Sequence, residues 1–118
     1  YKKKIINLNL QLLIILKAIS NPVRLRIMKL LENNELCVCH IVNSIGLKQS
    51  TISKHLSILK NAGLISDRKI GLWVYYRLSK EKLNEYNIKV NSFLKKCLNE
   101  DQIVINDKKR LSNIKCCK

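Results

Sequence analysis

Long apolar runs are missing from this 118-residue sequence. A membrane-spanning helix needs about 18–20 consecutive apolar residues, whereas the stretch from Leu8 to Leu16 is shorter and is interrupted by Asn9 and Gln11. The chain also opens without the charged, apolar and small-residue segments of a secretory leader, so export is not expected. These absences predict a cytoplasmic protein that has no membrane partner.

Acidic residues are scarce, with eight Asp and Glu against 23 Lys and Arg and a formal net charge of +15. Between residues 36 and 66 there are three lysines and no carboxylate. Strong positive charge on a small domain favours nucleic acid or another anionic surface as its partner. Two histidines and a few scattered carboxylates do not favour hydrolase chemistry, so we do not expect an enzyme.

The five cysteines are an odd number at irregular spacing, which argues against a disulfide framework. In a reducing compartment such thiols stay reduced and can bind a soft ion. The sequence has no Cys-x-x-Cys motif and no alternation of strands and helices. A thiol-based metal carrier or redox protein is therefore the less favoured alternative.

Proline occurs once and glycine three times, so each indicates a boundary. Asn21 followed by Pro22 predicts the N-cap and the first residue of a helix. Gly46 predicts the end of a short helix over about Val38 to Ile45. A further helix is expected over about Ser50 to Asn61, and two helices joined by a tight turn form a helix-turn-helix unit.

Beta-prone runs follow this unit at residues 64–65 and 72–78. Gly71 supplies the backbone freedom that a hairpin loop over residues 67–71 needs. Helical periodicity returns after Ser79. The predicted fold class is mainly α with a small β-hairpin, a winged helix-turn-helix with extra N- and C-terminal dimerisation helices.

The two flanking helices carry more apolar surface than one small domain can bury. The stretch Ile5–Ile19 is apolar around most of its circumference. The last helix has a stripe at a/d spacing made of Leu83, Tyr86, Val90, Phe93 and Cys97. These surfaces predict a two-fold homodimer. In this prediction residues 1–98 form the domain, and residues 99–118 form a polar C-terminal tail with a Cys-Cys pair.

The predicted helix at residues 50–61 has one apolar face, made of Ile52, Leu56 and Leu59, and one polar face. A recognition helix enters the major groove N-terminus first, so short polar side chains near its start are expected at base edges and its lysines at phosphates. Two basic residues are expected at the hairpin tip, near the DNA backbone or minor groove. The predicted DNA-binding residues are Gln49, Ser50, Thr51, Ser53, Lys54, Ser57, Lys60, Arg68 and Lys69.

A solvated helix face is the alternative interpretation of this pattern. The turn, the basic hairpin and the missing carboxylates together favour DNA. A dimer would place two recognition helices about one helical turn apart, which predicts a double-stranded operator with an inverted repeat. His55, at the edge of the apolar face, is expected to pack or to contact phosphate and not to bind a metal.

Cys37 and Cys39 flank Val38 just before or within the first turn of the short helix. In an extended segment residues i and i+2 point the same way, whereas in a continuous helix they diverge by about 200°. Two thiolates would then share one ion only by distorting that first turn. This spacing predicts that ion binding disturbs the DNA-reading unit, and soft ligands of this kind select soft metals or metalloids.

The remaining cysteines leave alternatives open. Cys97 falls on the apolar stripe of the last helix, so packing in the core or an interface is expected. Cys116 and Cys117 either supply a third thiolate or are incidental thiols of the tail. The predicted metal ligands are Cys37, Cys39, Cys116 and Cys117. A redox switch through disulfide formation is the alternative to ion binding.

Four sequence segments between residues 17 and 79 are specific enough to indicate a protein family. They are Lys-Ala-Ile-Ser-Asn-Pro-Val-Arg-Leu-Arg-Ile, Glu-Leu-Cys-Val-Cys, Ser-Lys-His-Leu-Ser-Ile-Leu-Lys-Asn-Ala-Gly-Leu and Gly-Leu-Trp-Val-Tyr-Tyr-Arg-Leu-Ser. Together they closely resemble the ArsR/SmtB family of metal-responsive repressors. The Glu-Leu-Cys-Val-Cys string is similar to that of the arsenic and cadmium/lead sensors. The resemblance implies a dimeric winged-helix repressor that leaves its operator when an ion binds.

The chain departs from the arsenic sensors in its third ligand. Their pattern has a cysteine three residues after Cys-Val-Cys, where this chain has Val42, and His40 replaces their usual acidic residue. The resemblance then implies a third ligand from an exogenous thiol or from one of Cys116, Cys117 and Cys97.

Two further departures bear on which ion is sensed. The cadmium/lead sensors have N-terminal cysteines, and none precedes Cys37 here. The family's zinc site on the last helix needs histidine and carboxylates, but residues 83–97 offer no histidine and only Glu85. The expected inducer is therefore trivalent arsenic (arsenite) or antimony (antimonite), with cadmium, lead or zinc as alternatives.

Overall fold

The computed structural model describes residues 9–80 and 86–114. Within them lie six helices and one three-stranded antiparallel sheet with strand order β1-β3-β2. The elements in chain order are α1 (Leu10–Ile19), α2 (Pro22–Leu30), β1 (Leu36–Cys37), α3 (Val38–Ile45), α4 (Gln49–Asn61), β2 (Ile65–Ile70), β3 (Trp73–Leu78), α5 (Asn87–Lys95) and α6 (Gln102–Ser112). This is a winged helix-turn-helix, which confirms the predicted fold class.

Capping residues set the start of α2 and the end of α3. The Asn21 side chain accepts hydrogen bonds from the backbone N–H groups of Val23 at 2.9 Å and Arg24 at 3.1 Å, and a proline occupies the first helical position. Gly46 ends α3 with a φ of 84°, a left-handed conformation that glycine adopts at little cost. The predicted bounds of α3 are confirmed, and α4 begins at Gln49, one residue earlier than predicted.

The core holds the recognition helix α4 from behind. Ile52, Leu56 and Leu59 are at most 1% exposed, as predicted. Their partners in the core include Ile15, Ile27, Leu30, Ile41 and Ile65. Burying one such side chain contributes about 1.5–3 kcal/mol to the free energy of unfolding. The packing therefore fixes the apolar face of α4 and leaves its polar face to solvent.

The hairpin differs from the prediction in its loop. Strands β2 and β3 pair along their whole length, so only Gly71 and Leu72 form the turn. Gly71 has a φ of 60°, which confirms its predicted role. Arg68 and Lys69 lie inside β2, and the prediction that they form the tip is wrong. A two-residue turn is the commonest hairpin connection, and it extends the ladder into the polar residues that were expected to form a loop.

The short strand β1 carries no sequence signal of its own, because two residues are too few to show an alternating pattern. Leu36 pairs with Tyr76 and Cys37 with Tyr75 of β3. This pairing holds Cys37 in extended backbone directly before α3.

Helix α6 lies in the segment that was expected to be a polar tail. The Asp101 side chain caps it by accepting hydrogen bonds from the backbone N–H groups of Ile103 at 2.9 Å and Val104 at 3.3 Å. The helix packs on α2 and α3 and buries Val104 and Asp107. The sequence did not predict this helix because one of its buried residues, Asp107, is a carboxylate. Asp101, two positions before the apolar pair Ile103 and Val104, was the available signal for its start.

Helix α1 leaves a large apolar surface outside the core. It buries Ile15 and Ala18, and its exposed large apolar residues are Leu10, Leu13, Ile14 and Leu16. The predicted start of this helix at Ile5 lies outside the described residues. No helix in the described part of the chain is long and apolar enough to cross a membrane.

Helix α5 differs in part from the predicted a/d stripe. Val90 packs against the core, whereas Phe93 is 64% exposed and Leu94 is buried instead. Leu83 lies outside the described residues. Cys97 follows the helix, is partly exposed and donates from Sγ to the Phe93 carbonyl oxygen at 3.4 Å, so it is not a core residue of this chain.

Candidate nucleic-acid interface and thiol cluster

Helix α4 presents a polar face with no carboxylate to solvent. Its predicted DNA-binding side chains are exposed at Gln49, Ser50, Lys54, Ser57 and Lys60 and half-buried at Thr51 and Ser53. The N-cap residue, Lys48, makes no side-chain capping hydrogen bond. The positive end of the α4 dipole is thus left to an anion such as phosphate.

His55 connects α4 to the helices behind it. Nη1 of Arg24 contacts Nδ1 of His55 at 3.1 Å, and the same guanidinium donates to the carbonyl oxygens of Ala18 and Lys17. Burial, and after it the Arg24 charge, lower the pKa of His55. The ring is therefore neutral at pH 7 and fills the packing role expected for it.

Carboxylates engage two of the basic side chains that were predicted to bind DNA. Nζ of Lys60 lies 3.0 Å from Oδ2 of Asp67. Arg68 donates two hydrogen bonds to Glu35, at 2.7 and 2.6 Å, and these bonds hold the pKa of Glu35 below its usual value. The neighbouring Lys69 has an exposed side chain. Local carboxylates thus offset part of the positive charge of the wing.

A cluster of soft ligand atoms lies where β1 passes into α3. Sγ of Cys37 is 2.8 Å from Sγ of Cys39 and 3.0 Å from Nδ1 of His40. The three ligand atoms lie within 4.8 Å of one another, and no other such trio of His, Cys, Asp or Glu occurs in residues 9–80 and 86–114. Cys37 is buried, and the other two residues are half-buried. We call these three residues the thiol cluster.

The two thiols converge with the helix intact. Cys37 is the N-cap of α3 with extended φ and ψ of −82° and 167°, and Cys39 is the second helical residue. Nδ1 of His40 accepts the backbone N–H of Cys37 at 3.2 Å, a brace of the capping-box kind. Because the N-cap residue is not helical, the divergence of a continuous helix does not apply. The two sulfur atoms therefore approach each other without a distorted first turn, and the effect of ion binding on that turn stays a prediction.

The predicted ligands Cys116 and Cys117 lie outside the described residues. The last described residue, Ile114, lines a surface recess together with Leu36 and His40.

The helix-turn-helix region matches a known family of regulators. Residues 21–67 match the family described as bacterial regulatory protein, arsR family. The chain is also 46% identical, over 72 residues, to an uncharacterized HTH-type transcriptional regulator of Methanocaldococcus jannaschii, a match that covers 60% of this chain and 81% of that protein. The chain belongs to the ArsR family.

A second relative of this ArsR-family chain is the arsenical resistance operon repressor of Escherichia coli, 47% identical over 64 residues. The match covers 53% of this chain and 55% of the repressor, so the chain spans about half of it. A solved homodimeric winged helix-turn-helix DNA-binding domain, Mb0332 from Mycobacterium bovis, superposes with a TM-score of 0.66 at 29% identity, covering 78% and 82% of the two chains. These relatives are transcriptional regulators, which confirms the prediction of a DNA-binding repressor that is not an enzyme.

Two residues that contact predicted site residues were not themselves predicted, namely His40 beside Cys37 and Glu35 beside Arg68. His40 could have been placed there from its spacing, because the third helical residue faces the N-cap. Glu35 had no local signal, since its partner Arg68 lies 33 positions away.

Proposed function

We propose that this ArsR-family protein is a homodimeric repressor that leaves its double-stranded operator when trivalent arsenic or antimony binds three thiolates. Cys37 and Cys39 supply two of them, and Cys116 or Cys117 supplies the third. The observation that carries the proposal is the 2.8 Å approach of the first two sulfur atoms at the head of α3. Thiolates select soft ions of this kind, and the relative named for arsenical resistance supports arsenic.

The end of α6 supports a third thiol from the same subunit. Helix α6 ends at Ser112, and Ile114 lines the same recess as His40. Cys116 follows Ile114 by two positions in the sequence. A thiol from the second subunit would need a different path, which mixed dimers of wild type and variant can test.

DNA binding in this proposal uses the polar face of α4. Gln49, Ser50, Thr51 and Ser53 read base edges, and Lys54 and Ser57 contact phosphates. Lys69 contacts the backbone from the wing. Lys60 and Arg68 contact phosphates only after they exchange their present carboxylate partners.

Dimerisation in this proposal uses α1. Its four exposed apolar residues form an apolar patch larger than a monomeric domain of this size usually exposes to solvent. The homodimeric state of the Mycobacterium bovis domain supports the same arrangement here. Two-fold symmetry then requires an operator with an inverted repeat.

A cadmium- or lead-responsive repressor is the second candidate, and His40 favours it. Its Nδ1 lies 3.0 Å from Cys37 Sγ, so the cluster offers nitrogen as well as sulfur. Four-coordinate divalent ions such as zinc accept mixed sulfur and nitrogen ligands. Trivalent arsenic needs only three thiolates, so His40 should be dispensable for its binding.

Release of DNA under strict reduction tests the proposal. The full chain is bound to a duplex that the protein has itself selected from a random library, and arsenite, antimonite, cadmium, lead or zinc is added. Arsenite should release the duplex, and Cys37→Ser and Cys39→Ser should each raise the required arsenite at least about tenfold, the cost of one lost ligand bond. Cys97→Ser is the matched control and should leave release unchanged.

Three other outcomes would contradict the proposal or support a different function. An arsenite response that survives both Cys37→Ser and Cys39→Ser contradicts the proposal. A cadmium response that His40→Ala removes, without any arsenite response, supports the second candidate. Release that occurs only after addition of an oxidant supports the redox switch instead.

A further inference from the structure

The last carbonyl groups of α3 lie directly before the turn to the recognition helix. Gly46, Leu47 and Lys48 form this turn, and α4 begins at Gln49. The last carbonyls of a helix lack partners within the helix and carry its negative end, so cationic donors suit them. A side chain that binds these carbonyls therefore holds the start of the turn.

Two arginines from different helices bind these carbonyl groups. Nη2 of Arg26, on α2, donates to the carbonyl oxygen of Ile45 at 3.2 Å. Nε of Arg110, on α6, donates to the carbonyl oxygen of Ser44 at 2.6 Å. The end of α3 is thus held both from α2 and from α6.

A buried carboxylate holds both arginines in place. Asp107 is 1% exposed, and its oxygens accept hydrogen bonds from Nε and Nη2 of Arg26, both at 2.8 Å. Nη2 of Arg110 donates to the same carboxylate at 2.6 Å. Charge-assisted hydrogen bonds of this kind are strong, and the bidentate pair fixes the orientation of the Arg26 guanidinium. We call Arg26, Asp107 and Arg110 the α6 network.

The core does not by itself fix the residues of α4 that are predicted to read bases. The first fully buried residue of α4 is Ile52, whereas Gln49 and Ser50 are exposed and Thr51 is half-buried. Of the three turn residues, Leu47 packs partly against the core and the other two are exposed. Side chains of a binding site must be held within about 0.5 Å of their productive positions. The start of α4 therefore needs support from the turn before it.

We infer that Arg26 and Arg110, both bound to Asp107, are positioning residues for base readout by α4. This inference rests on the proposed function. Through the carbonyl groups of Ser44 and Ile45, the α6 network fixes where the turn begins. The turn in turn sets the depth and the angle at which the start of α4 enters the major groove. Helix α6 is thus part of the DNA-reading unit, although the predicted base contacts all lie on α4.

The inference predicts a loss of sequence selectivity and not a general loss of DNA binding. Contacts to phosphates supply most of the affinity for any duplex, whereas selectivity comes from contacts to base edges. A displaced turn should therefore lower the affinity for the selected duplex more than that for an unrelated one. A change that lowers only the fraction of folded protein lowers both affinities by the same factor. The ratio of the two affinities thus reports positioning and not stability.

Arg110→Met tests the inference, with Lys109→Met as the matched control. Both variants remove one positive charge from an exposed residue in the same turn of α6, and Arg110→Met also removes the hydrogen bonds to Asp107 and Ser44. Arg26 keeps both of its hydrogen bonds to Asp107, so the buried carboxylate stays paired. Affinities of the full chain, without added ion, are measured for the duplex selected from a random library and for a shuffled duplex of the same composition.

In Lys109→Met the ratio of selected to shuffled affinity should equal that of wild type. In Arg110→Met the ratio should fall at least about tenfold, which lies within the range for one mismatched base pair. Arg110→Lys keeps the charge, but its single nitrogen cannot replace both Nε and Nη2. An intermediate ratio is expected for this variant.

An equal ratio in Arg110→Met and Lys109→Met, even where both affinities fall together, overturns the inference. A wild type that prefers its selected duplex then still supports the proposed function, and a wild type without that preference overturns both. Should Arg110→Met fail to fold, Arg110→Lys decides. A ratio at least about threefold below that of wild type supports the inference, and an unchanged ratio overturns it.

Discussion

Nη1 of Arg24 and Nδ1 of His55 lie 3.1 Å apart and join α2 to the recognition helix. Arginine only donates hydrogen bonds, so Nδ1 must accept, and the contact exists only while the ring is neutral. Burial and the Arg24 charge lower the pKa of His55 below its ordinary value of 6.5 in agreement with this. This contact between α2 and α4 therefore depends on the protonation state of His55.

His55→Gln should remove a pH dependence of stability. Because the pKa of His55 is lowered in the folded state, the unfolded chain binds more protons, and the contribution is present above pH 6.5 and lost as pH falls toward the folded pKa. Urea unfolding at a series of pH values should show that the free energy of unfolding falls more steeply below pH 6.5 for wild type than for the variant. Parallel curves would contradict the prediction.

Glu35→Gln should strengthen DNA binding through Arg68. The substitution removes the carboxylate that accepts two hydrogen bonds from Arg68 and leaves the guanidinium available for phosphate. One added phosphate contact steepens the dependence of log K on log salt by about 0.9. A salt titration measures this slope, and Arg68→Ala in the variant background should abolish the gain. A gain that survives Arg68→Ala would assign it to another residue.

Lys54→Gln should weaken DNA binding more than Lys60→Gln. Both lysines lie on the exposed face of α4, but Lys60 is paired with Asp67 at 3.0 Å and must break that pair to contact phosphate. The salt slope should fall by about 0.9 for Lys54→Gln and by less for Lys60→Gln. The two variants carry the same charge change, so each is the control for the other. An equal loss of slope would show that Lys60 leaves Asp67 freely.

Lys29→Met should strongly destabilise the fold. Lys29 is 1% exposed, and its Nζ donates to Glu32, to the Leu94 carbonyl oxygen at 2.8 Å and to Oδ1 of Asn99 at 3.0 Å. Methionine conserves much of the volume but leaves the Glu32 carboxylate, whose side chain is 8% exposed, with Lys108 at 3.5 Å as its remaining ion-pair partner among the described residues. We expect a loss of about 3–5 kcal/mol in the free energy of unfolding. Adding Glu32→Met should restore part of it, and no recovery in urea unfolding would contradict an electrostatic origin.

Replacing Leu13 and Leu16 by Gln should shift the protein toward monomer. Both side chains are about half exposed on α1, 51% and 46%, so burying the exposed half of each in a dimer contributes about 0.8–1.5 kcal/mol, half the value for full burial. Sedimentation equilibrium should show the dimer dissociation constant raised at least about tenfold. Leu72→Gln is the control, because this leucine is 91% exposed at the tip of the wing. An unchanged dimer would place the interface elsewhere.

Capping residues and apolar periodicity predicted the central helices because their causes are local. Asn21 accepts from N–H groups two and three residues away, and Gly46 provides a left-handed backbone where α3 ends. The apolar stripe of α4 faces the core because helical residues three and four apart share a face. The hairpin was predicted from Gly71, but its loop length was not, because polar strand residues and loop residues look alike in sequence.

The sequence by itself determined a basic winged helix-turn-helix with two cysteines at the head of α3, since propensity, capping and charge are properties of neighbouring residues. Only the tertiary structure decided how those cysteines face each other, because Cys37 is held extended by pairing with Tyr75, far along the chain. It also decided that α6 exists, since Asp107 is stable in the interior only beside Arg26, 81 positions earlier. Contacts of such separation have no signature in a local pattern.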